Sequence, residues 1–211
     1  MKLKFKILFA FFSILGNAQN LKTSNILKVS DSILLQNTKS NLFPFFKFSD
    51  GSYYKYSKGI YERTGKFITN KKIKNNVTEI WVLYSFKYPK IEGVKGGTWI
   101  KLDKNLNLIE PVSLEFIPEF LRKNERSNFI PKEVAYNIAI ENFIKEGIKI
   151  ENPELFFDKN QNAYVYMIIN KLNEYKNFAN KPAGNTEVIK INAENGKIVE
   201  KFDGYYGLII R

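Results

Sequence analysis

The spacing of apolar residues predicts a helix followed by strands, and this order then occurs a second time. Apolar side chains recur at helical spacing over residues 25–36, with Ser24 as a suitable N-cap. From Phe45 onward, short runs of aromatic and β-branched residues alternate with turn residues, which is typical of antiparallel strands. A second helix is predicted over 131–146, ending before Gly147.

The first strand-rich stretch contains one dominant strand and several turns. Residues 77–88 are dense in β-branched and aromatic side chains and form the clearest strand. A hairpin is predicted between 45–48 and 53–56 across Asp50-Gly51. The glycine-rich segment 89–97 is expected to be a long loop that leads into a further strand.

The second strand-rich stretch follows a similar plan. A strand is predicted at 164–169, followed by a long polar loop at 173–185. A hairpin over 187–199 closes at Asn195-Gly196, and residues 202–210 are predicted to add a last strand after a turn.

Two segments of the chain resemble each other. Residues 99–109 contain an apolar–polar alternation, a polar turn and a second apolar pair, and residues 188–198 contain the same pattern. The similarity either reflects one unit used twice or is what any two amphipathic hairpins share. The predicted fold is therefore α+β, with two helix-on-antiparallel-sheet units at 19–110 and 129–211 joined by a linker at 111–128.

The second unit resembles a PepSY-type domain over residues 129–202. The helix 131–139 has a spaced alanine pattern, and the hairpin 189–199 contains the N-x-x-x-G-x-I arrangement of that family. The first unit would be a degenerate copy, because Asn107 stands where Gly196 stands in the second. The resemblance implies an exported or envelope protein without catalytic activity that binds or restrains a partner such as a peptidase.

The first eighteen residues have the pattern of a signal peptide. Lys2, Lys4 and Lys6 precede the apolar stretch 7–15, and small residues stand before a predicted cleavage site after Ala18. The apolar stretch is shorter than a membrane span, although an uncleaved anchor is the alternative. We therefore expect a periplasmic or secreted protein, and the absence of cysteine excludes a lipoprotein.

The composition excludes several kinds of chemistry. The chain has neither histidine nor cysteine, so the common zinc, haem and copper ligands and the Ser-His-Asp and Cys-His arrangements are missing. No cofactor is expected, and residues 103–107 are predicted to be a hairpin turn rather than a calcium loop. A carboxylate pair remains open, although Glu110, Glu115, Glu119 and Asp158 show no spacing that selects two of them.

The chain is strongly basic. The formal charge is +12, from 33 basic and 21 acidic residues. Without the lysines of the leader this falls to +9, which favours contact with anionic partners such as nucleic acid or acidic polysaccharide. The alternative is a compositional bias, since lysine, asparagine and isoleucine are all abundant.

Two groups of residues are candidates for binding. The loops 89–97 and 173–185 combine aromatic residues with lysines, as interface anchors do, unless they are simply solvated loops. The stretch 53–74 interleaves tyrosines with cations, which suits stacking on sugars or bases but is also typical of protected edge strands. The candidates are Tyr88, Lys90, Lys95, Tyr175, Lys176 and Phe178 in the loops, and Tyr54, Tyr56, Lys58, Lys71 and Lys72 in the stretch.

These observations predict a non-enzymatic binding module with a protein partner. The first alternative is a basic binder of an anionic envelope polymer, either polysaccharide or nucleic acid. The second alternative is a hydrolase that uses carboxylates.

Overall fold

The computed structural model describes residues 21–207. The predicted signal peptide, residues 1–18, lies outside the described residues. None of the helices in this described part is long and apolar enough to cross a membrane.

The described chain is an α+β structure with two antiparallel sheets, as predicted. The first half consists of α1 (Thr23–Asn37), a 3₁₀ turn (Phe43–Phe45), β1 (Phe46–Phe48), β2 (Tyr53–Lys58), β3 (Tyr61–Lys66), β4 (Val77–Lys87) and β5 (Lys95–Asp103). The second half consists of α2 (Glu119–Lys123), α3 (Lys132–Ile140), β6 (Lys149–Ile150), β7 (Glu154–Asp158), β8 (Ala163–Lys171), β9 (Tyr175–Lys176), β10 (Pro182–Asn192) and β11 (Ile198–Tyr206).

Each sheet is organised around one long strand. In the first sheet β4 pairs with β5 on one edge and with β1 and β2, end to end, on the other, while β3 lies beyond β2. In the second sheet β8 pairs with β10 on one edge and with β6 and β7, end to end, on the other. The strand β11 lies beyond β10, and β9 pairs with the beginning of β10.

The predicted hairpin between residues 45–48 and 53–56 is wrong. Both segments are strands, but β1 and β2 lie end to end along β4, and β2 forms its hairpin with β3. Ser52 occupies the gap between them, where its hydroxyl accepts a hydrogen bond from the Leu83 amide (2.9 Å) and donates one to the Ser49 carbonyl (2.8 Å). The Asp50-Gly51 turn therefore shifts the chain along one edge of β4 instead of reversing it.

The first helix begins earlier than Ser24. It begins at Thr23, which follows the N-cap position Lys22. The Thr23 hydroxyl accepts a hydrogen bond from the Lys71 amide (3.0 Å) and donates one to the Lys71 carbonyl (3.0 Å). A contact distant in sequence therefore sets the start of this helix, and no local capping pattern could have indicated it.

The second predicted helix is shorter than 131–146. It ends at Ile140, and the chain then crosses the sheet. The buried Glu187 carboxylate accepts hydrogen bonds from the amides of Ile144 (3.0 Å) and Lys145 (3.0 Å). These amides are thus satisfied by a side chain of β10, and not by further helical turns.

The end of the chain also differs from the prediction. Residues 173–185 form an extended hairpin, in which β9 pairs with β10 and the Asn177 amide donates a hydrogen bond to the Lys181 carbonyl (2.9 Å). Asp203 and Gly204, predicted to be a turn, lie inside β11. Of the predicted last strand, residues 208–210 fall outside the described residues.

The inner faces of both sheets and the segment that joins them form one apolar core. Helix α3 buries Ala135 and Ala139 completely, which allows the close packing that the alanine spacing predicted. The connecting segment 111–128 contains α2, and its Phe116, Ile117, Phe120 and Leu121 are buried. Its Phe116 carbonyl accepts a hydrogen bond from the Tyr164 hydroxyl (2.5 Å), so the connection is packed into the second sheet.

Replacing Glu187 with alanine should destabilise the protein. The change leaves two partly buried amides without their acceptor and removes a buried side chain, which costs about 2 kcal/mol of unfolding free energy. Urea denaturation measures this difference. The control is Glu194→Ala, at an exposed turn residue, for which we expect a change within about 0.5 kcal/mol. Equal effects of the two substitutions would contradict the structural role of Glu187.

Candidate functional site

The side of the first sheet that faces away from α1 is the candidate site. Side chains alternate along β4, and the inward set is buried: Ile80, Val82, Tyr84 and Phe86. The outward set is Glu79, Trp81, Leu83, Ser85 and Lys87. Cross-strand pairing adds neighbours on the same side: Lys47, Tyr53 and Lys55 from β1 and β2, and Lys95, Gly97, Trp99 and Lys101 from β5. We call this surface the outer face.

Three aromatic rings form a cluster in the middle of the outer face. Tyr53 stacks on Trp81 with the ring centroids 5.3 Å apart, and Trp99 meets both rings edge to face at 5.7 Å. All three side chains are half-buried. The chain has two tryptophans, and both are here. Large rings of this kind, partly exposed on a sheet, provide apolar contact area for a ligand.

At one end of the cluster every lysine has a carboxylate partner. Lys55 pairs with Glu79 (3.0 Å), and Lys101 pairs with Glu110 (2.6 Å) while lying over the Trp81 ring at 4.0 Å from its centroid. The Trp81 indole donates a hydrogen bond to Glu79 (2.7 Å). Hydrogen bonds from Trp81 and from Lys55 hold the pKa of Glu79 below its ordinary value. Charge is balanced at this end, and the ring of Trp81 is fixed.

At the other end the lysines have no such partners. A cleft of about 820 Å³ lies there, lined by Pro44, Phe45, Lys47, Ser85, Phe86, Lys87, Pro89, Lys95 and Gly96. The lining contains no acidic residue. Within residues 21–207, none of its three lysines forms an ion pair. We call this the basic cleft.

The pairing of the strands makes the basic cleft electrostatically unfavourable without a ligand. Lys87 and Lys95 are directly opposite each other on β4 and β5, and Lys47 lies opposite Ser85, one row away on the same face. Like charges in directly opposite positions destabilise a sheet. Glu92 lies near enough to Lys87 to interact with its charge. Lys95 also lines a neighbouring cleft with Glu110 and Glu115, but no carboxylate lines the basic cleft itself. An anion in the cleft would relieve this repulsion.

The candidate residues of the first loop lie at the basic cleft. Lys95 lines it, and Lys90 is exposed in the adjacent turn. Tyr88 is half-buried, and its ring packs edge to face on Phe45 (5.2 Å). The candidates of the second loop, Tyr175, Lys176 and Phe178, are on the β9–β10 hairpin of the other sheet, and Tyr175 and Phe178 are exposed there.

The candidates between residues 53 and 74 do not form one surface. Tyr54 is buried with its ring against Gly65, so it contributes to the core. Tyr56 lies under the Lys74 ammonium group, 4.1 Å from the ring centroid, and Lys58 is exposed at the end of β2. Lys71 and Lys72 are exposed and lie beside the start of α1.

Of the residues that define the outer face, sequence reasoning missed Lys47, Trp81, Lys87 and Trp99, whereas Tyr53 belongs to the stretch 53–74 that it considered for stacking. The sequence of residues 77–87 contained part of the signal. Side chains that are mostly polar or aromatic alternate there with side chains that are aliphatic or aromatic, which indicates a strand with two different faces. What the pattern lacked was the register that brings Lys87 opposite Lys95 and Tyr53 opposite Trp81.

The acidic residues considered for catalysis are mostly engaged with lysines. Glu110 pairs with Lys101 (2.6 Å), Glu119 with Lys123 (2.7 Å) and Asp158 with Lys190 (2.9 Å). In the described part of the chain no group of three or more acidic side chains is placed to hold a metal ion.

Comparison with protein-family models, with curated proteins and with solved structures finds no match for this chain.

The hydrogen bond between Trp81 and Glu79 predicts a pH-dependent fluorescence signal. In a Trp99→Phe background, the emission of Trp81 should change in acid as the Glu79 carboxylate is protonated. The pKa of Glu79 is lowered, so its stabilising contribution is present above the usual glutamate range and is lost as the pH falls through the lowered pKa. A fluorescence titration should give a midpoint below the usual range.

Glu79→Gln should remove this transition, while Glu62→Gln should retain it. A midpoint within or above the usual glutamate range, or a transition that survives Glu79→Gln, would show that Glu79 does not control the environment of Trp81.

Proposed function

We propose that this chain is a non-enzymatic binding module that holds an anionic polymer, of the class of acidic polysaccharides, on the outer face of its first sheet. The observation that carries the proposal is that Lys87 and Lys95 lie directly opposite each other on neighbouring strands. Both residues line the basic cleft together with Lys47, and the lining contains no acidic residue. Lysine ammonium groups at such positions neutralise carboxylate or sulfate groups of a ligand.

The aromatic cluster next to the basic cleft supports a sugar ligand. Sugar rings pack on the faces and edges of tryptophan and tyrosine, and Tyr53, Trp81 and Trp99 lie one to three rows along the sheet from the lysines. From Glu79 to Lys87 the outer face extends about 27 Å along β4, at roughly 3.4 Å per residue. An extended chain of several sugar units therefore fits it better than a small ion does.

A protein partner is the second candidate, and the β9–β10 hairpin favours it. Phe178 is fully exposed at the tip of this hairpin. The Asn177 carboxamide oxygen accepts hydrogen bonds from the amides of Ala179 (2.9 Å) and Lys181 (3.1 Å), so the tip has a defined shape. An aromatic side chain presented in this way suits a pocket on another protein. The resemblance to PepSY domains would make that partner a peptidase.

We also propose that the two halves are copies of one unit, each a helix on an antiparallel sheet. The support is a shared strand register, in which a residue of the central strand has one neighbour on a short strand and one on a long strand. In the first sheet Trp81 lies between Tyr53 and Lys101. In the second sheet Met167 lies between Glu154 and Lys190. Four residues further along, Ser85 lies between Lys47 and Gly97, and Lys171 lies between Lys149 and Thr186. The segment between the two short strands also makes the same contact with the central strand in both sheets. The Ser49 amide donates a hydrogen bond to the Leu83 carbonyl (2.9 Å), and the Glu151 amide donates one to the Ile169 carbonyl (2.8 Å).

Only the first half has the features of the proposed binding face. Met167 occupies the place of Trp81, and Lys190, in the place of Lys101, is held between Asp158 (2.9 Å) and Glu200 (2.7 Å). The second sheet would then serve as support for the first. Export of the chain stays a prediction from residues 1–18.

Tryptophan fluorescence tests the proposed ligand class directly, because both tryptophans lie on the outer face. Hyaluronan and dextran sulfate are the probes, with neutral dextran as the uncharged comparison. We expect the acidic polymers to change the emission, with an affinity that falls steeply as salt increases. Replacing Lys47, Lys87 and Lys95 together by glutamine should weaken binding about tenfold, since each exposed ion pair with the polymer contributes about 0.5 kcal/mol to binding.

The matched control is the triple replacement of Lys58, Lys71 and Lys72 by glutamine, which removes the same charge from exposed positions elsewhere. It should change the affinity by no more than about twofold at moderate salt, because distant exposed charges are screened. Equal losses in the two triple variants would mean that net charge, and not the basic cleft, determines binding. No response to either acidic polymer would overturn the proposed ligand class.

A further inference from the structure

We propose that β11 pairs with β11 of a second copy of this chain, antiparallel and centred on Phe202, so that two second sheets join into one. This proposal is independent of the ligand proposed for the first sheet. It rests on the sequence of one edge strand and on the side to which each of its residues points.

The strand β11 is a long open edge. It covers nine residues, and within residues 21–207 it pairs with β10 alone, so its other edge has no partner strand. Such an edge presents unpaired backbone amides and carbonyls, which template the addition of another strand. Two of its large side chains are also exposed, Phe202 at 39 % and Tyr205 at 65 %.

The sequence of β11 is complementary to itself about Phe202. In an antiparallel pair centred there, Lys201 lies opposite Asp203, and Glu200 lies opposite Gly204. Val199 lies at a bulge, where the pairing with β10 shifts by one residue, so the regular part of the pair covers residues 200–204. Because the arrangement has twofold symmetry, each pair occurs twice. Opposite charges in directly opposite positions stabilise a sheet.

The neighbouring registers are unfavourable, which makes the proposed one specific. Centring the pair on Lys201 places this lysine opposite its own copy, and centring it on Asp203 places two aspartates opposite each other. Like charges directly opposite each other destabilise the pairing. The register centred on Phe202 avoids both contacts and places each of the two charges opposite one of the other sign.

The side chains of β11 are positioned for this pairing. Lys201 and Asp203 lie on the side of the sheet that carries α3, where the Lys201 ammonium donates to the Asn142 carbonyl (2.8 Å) and Asp203 pairs with Lys145 (2.5 Å). These contacts hold both charges close to the strand. On the opposite side, Gly204 has no side chain, so Glu200 of the second copy would meet no bulk there.

Sedimentation velocity of the full chain, from about 1 µM to about 1 mM, tests the proposal, because edge pairing of this size gives micromolar to millimolar affinity. We expect a monomer–dimer equilibrium. Lys201→Glu places glutamate opposite Asp203, and Asp203→Lys places lysine opposite Lys201, so each variant alone should stay monomeric. A mixture of the two variants should form a heterodimer, since every charge then faces its opposite.

The matched control is Lys197→Glu, a substitution in the turn before β11, which should dimerise like the original chain. Circular dichroism and thermal melting establish that each variant is folded. A chain that stays monomeric throughout the concentration range overturns the proposal. Dimerisation that persists in both single variants, or a mixture of these variants that stays monomeric, overturns the proposed register.

Discussion

The whole structure depends on how the two long central strands satisfy their backbone hydrogen bonds. On one edge β4 pairs with a single strand, but on the other it needs two short ones, and the junction leaves a gap. The Ser52 hydroxyl fills that gap by accepting a hydrogen bond from the Leu83 amide. Because a buried amide without a partner is costly, this small contact fixes where β1 ends, where β2 begins and which of their side chains face outward.

Once this register is fixed, the two faces of the first sheet have different roles. The inner face packs against α1 and the connecting segment, and its side chains are closely packed and buried. The outer face is not covered by another element of the described chain, so its composition is free to serve binding. There the chain places Trp81 and Trp99 on the same face as Lys47, Lys87 and Lys95, and this arrangement is the basis of the proposed ligand site.

In the second sheet the central strand β8 is also flanked by one long strand and two short ones, but the additional strands β9 and β11 pair with β10, and the distribution of charge is different. Lys190 is held by two carboxylates on its outer face, and the buried Glu187 on its inner face ends α3. Several charges in this half are paired within the fold, and those of β11 are the basis of the proposed self-association. The proposed ligand site and the proposed self-association surface therefore lie on different sheets.

The sequence by itself determined the fold class, the approximate positions of the long strands and the basic character, because period-two and helical alternation and charge are local properties. It did not predict β3, β6 or β9. It placed Lys95 among the candidates, but it assigned Tyr54 to a surface when the residue is buried against Gly65. Only the tertiary structure decided that β1 and β2 share one edge, that α3 ends at Ile140 and that Lys87 faces Lys95. Each of these three features depends on which backbone groups of distant segments pair with each other, and the local pattern of residues does not indicate that pairing.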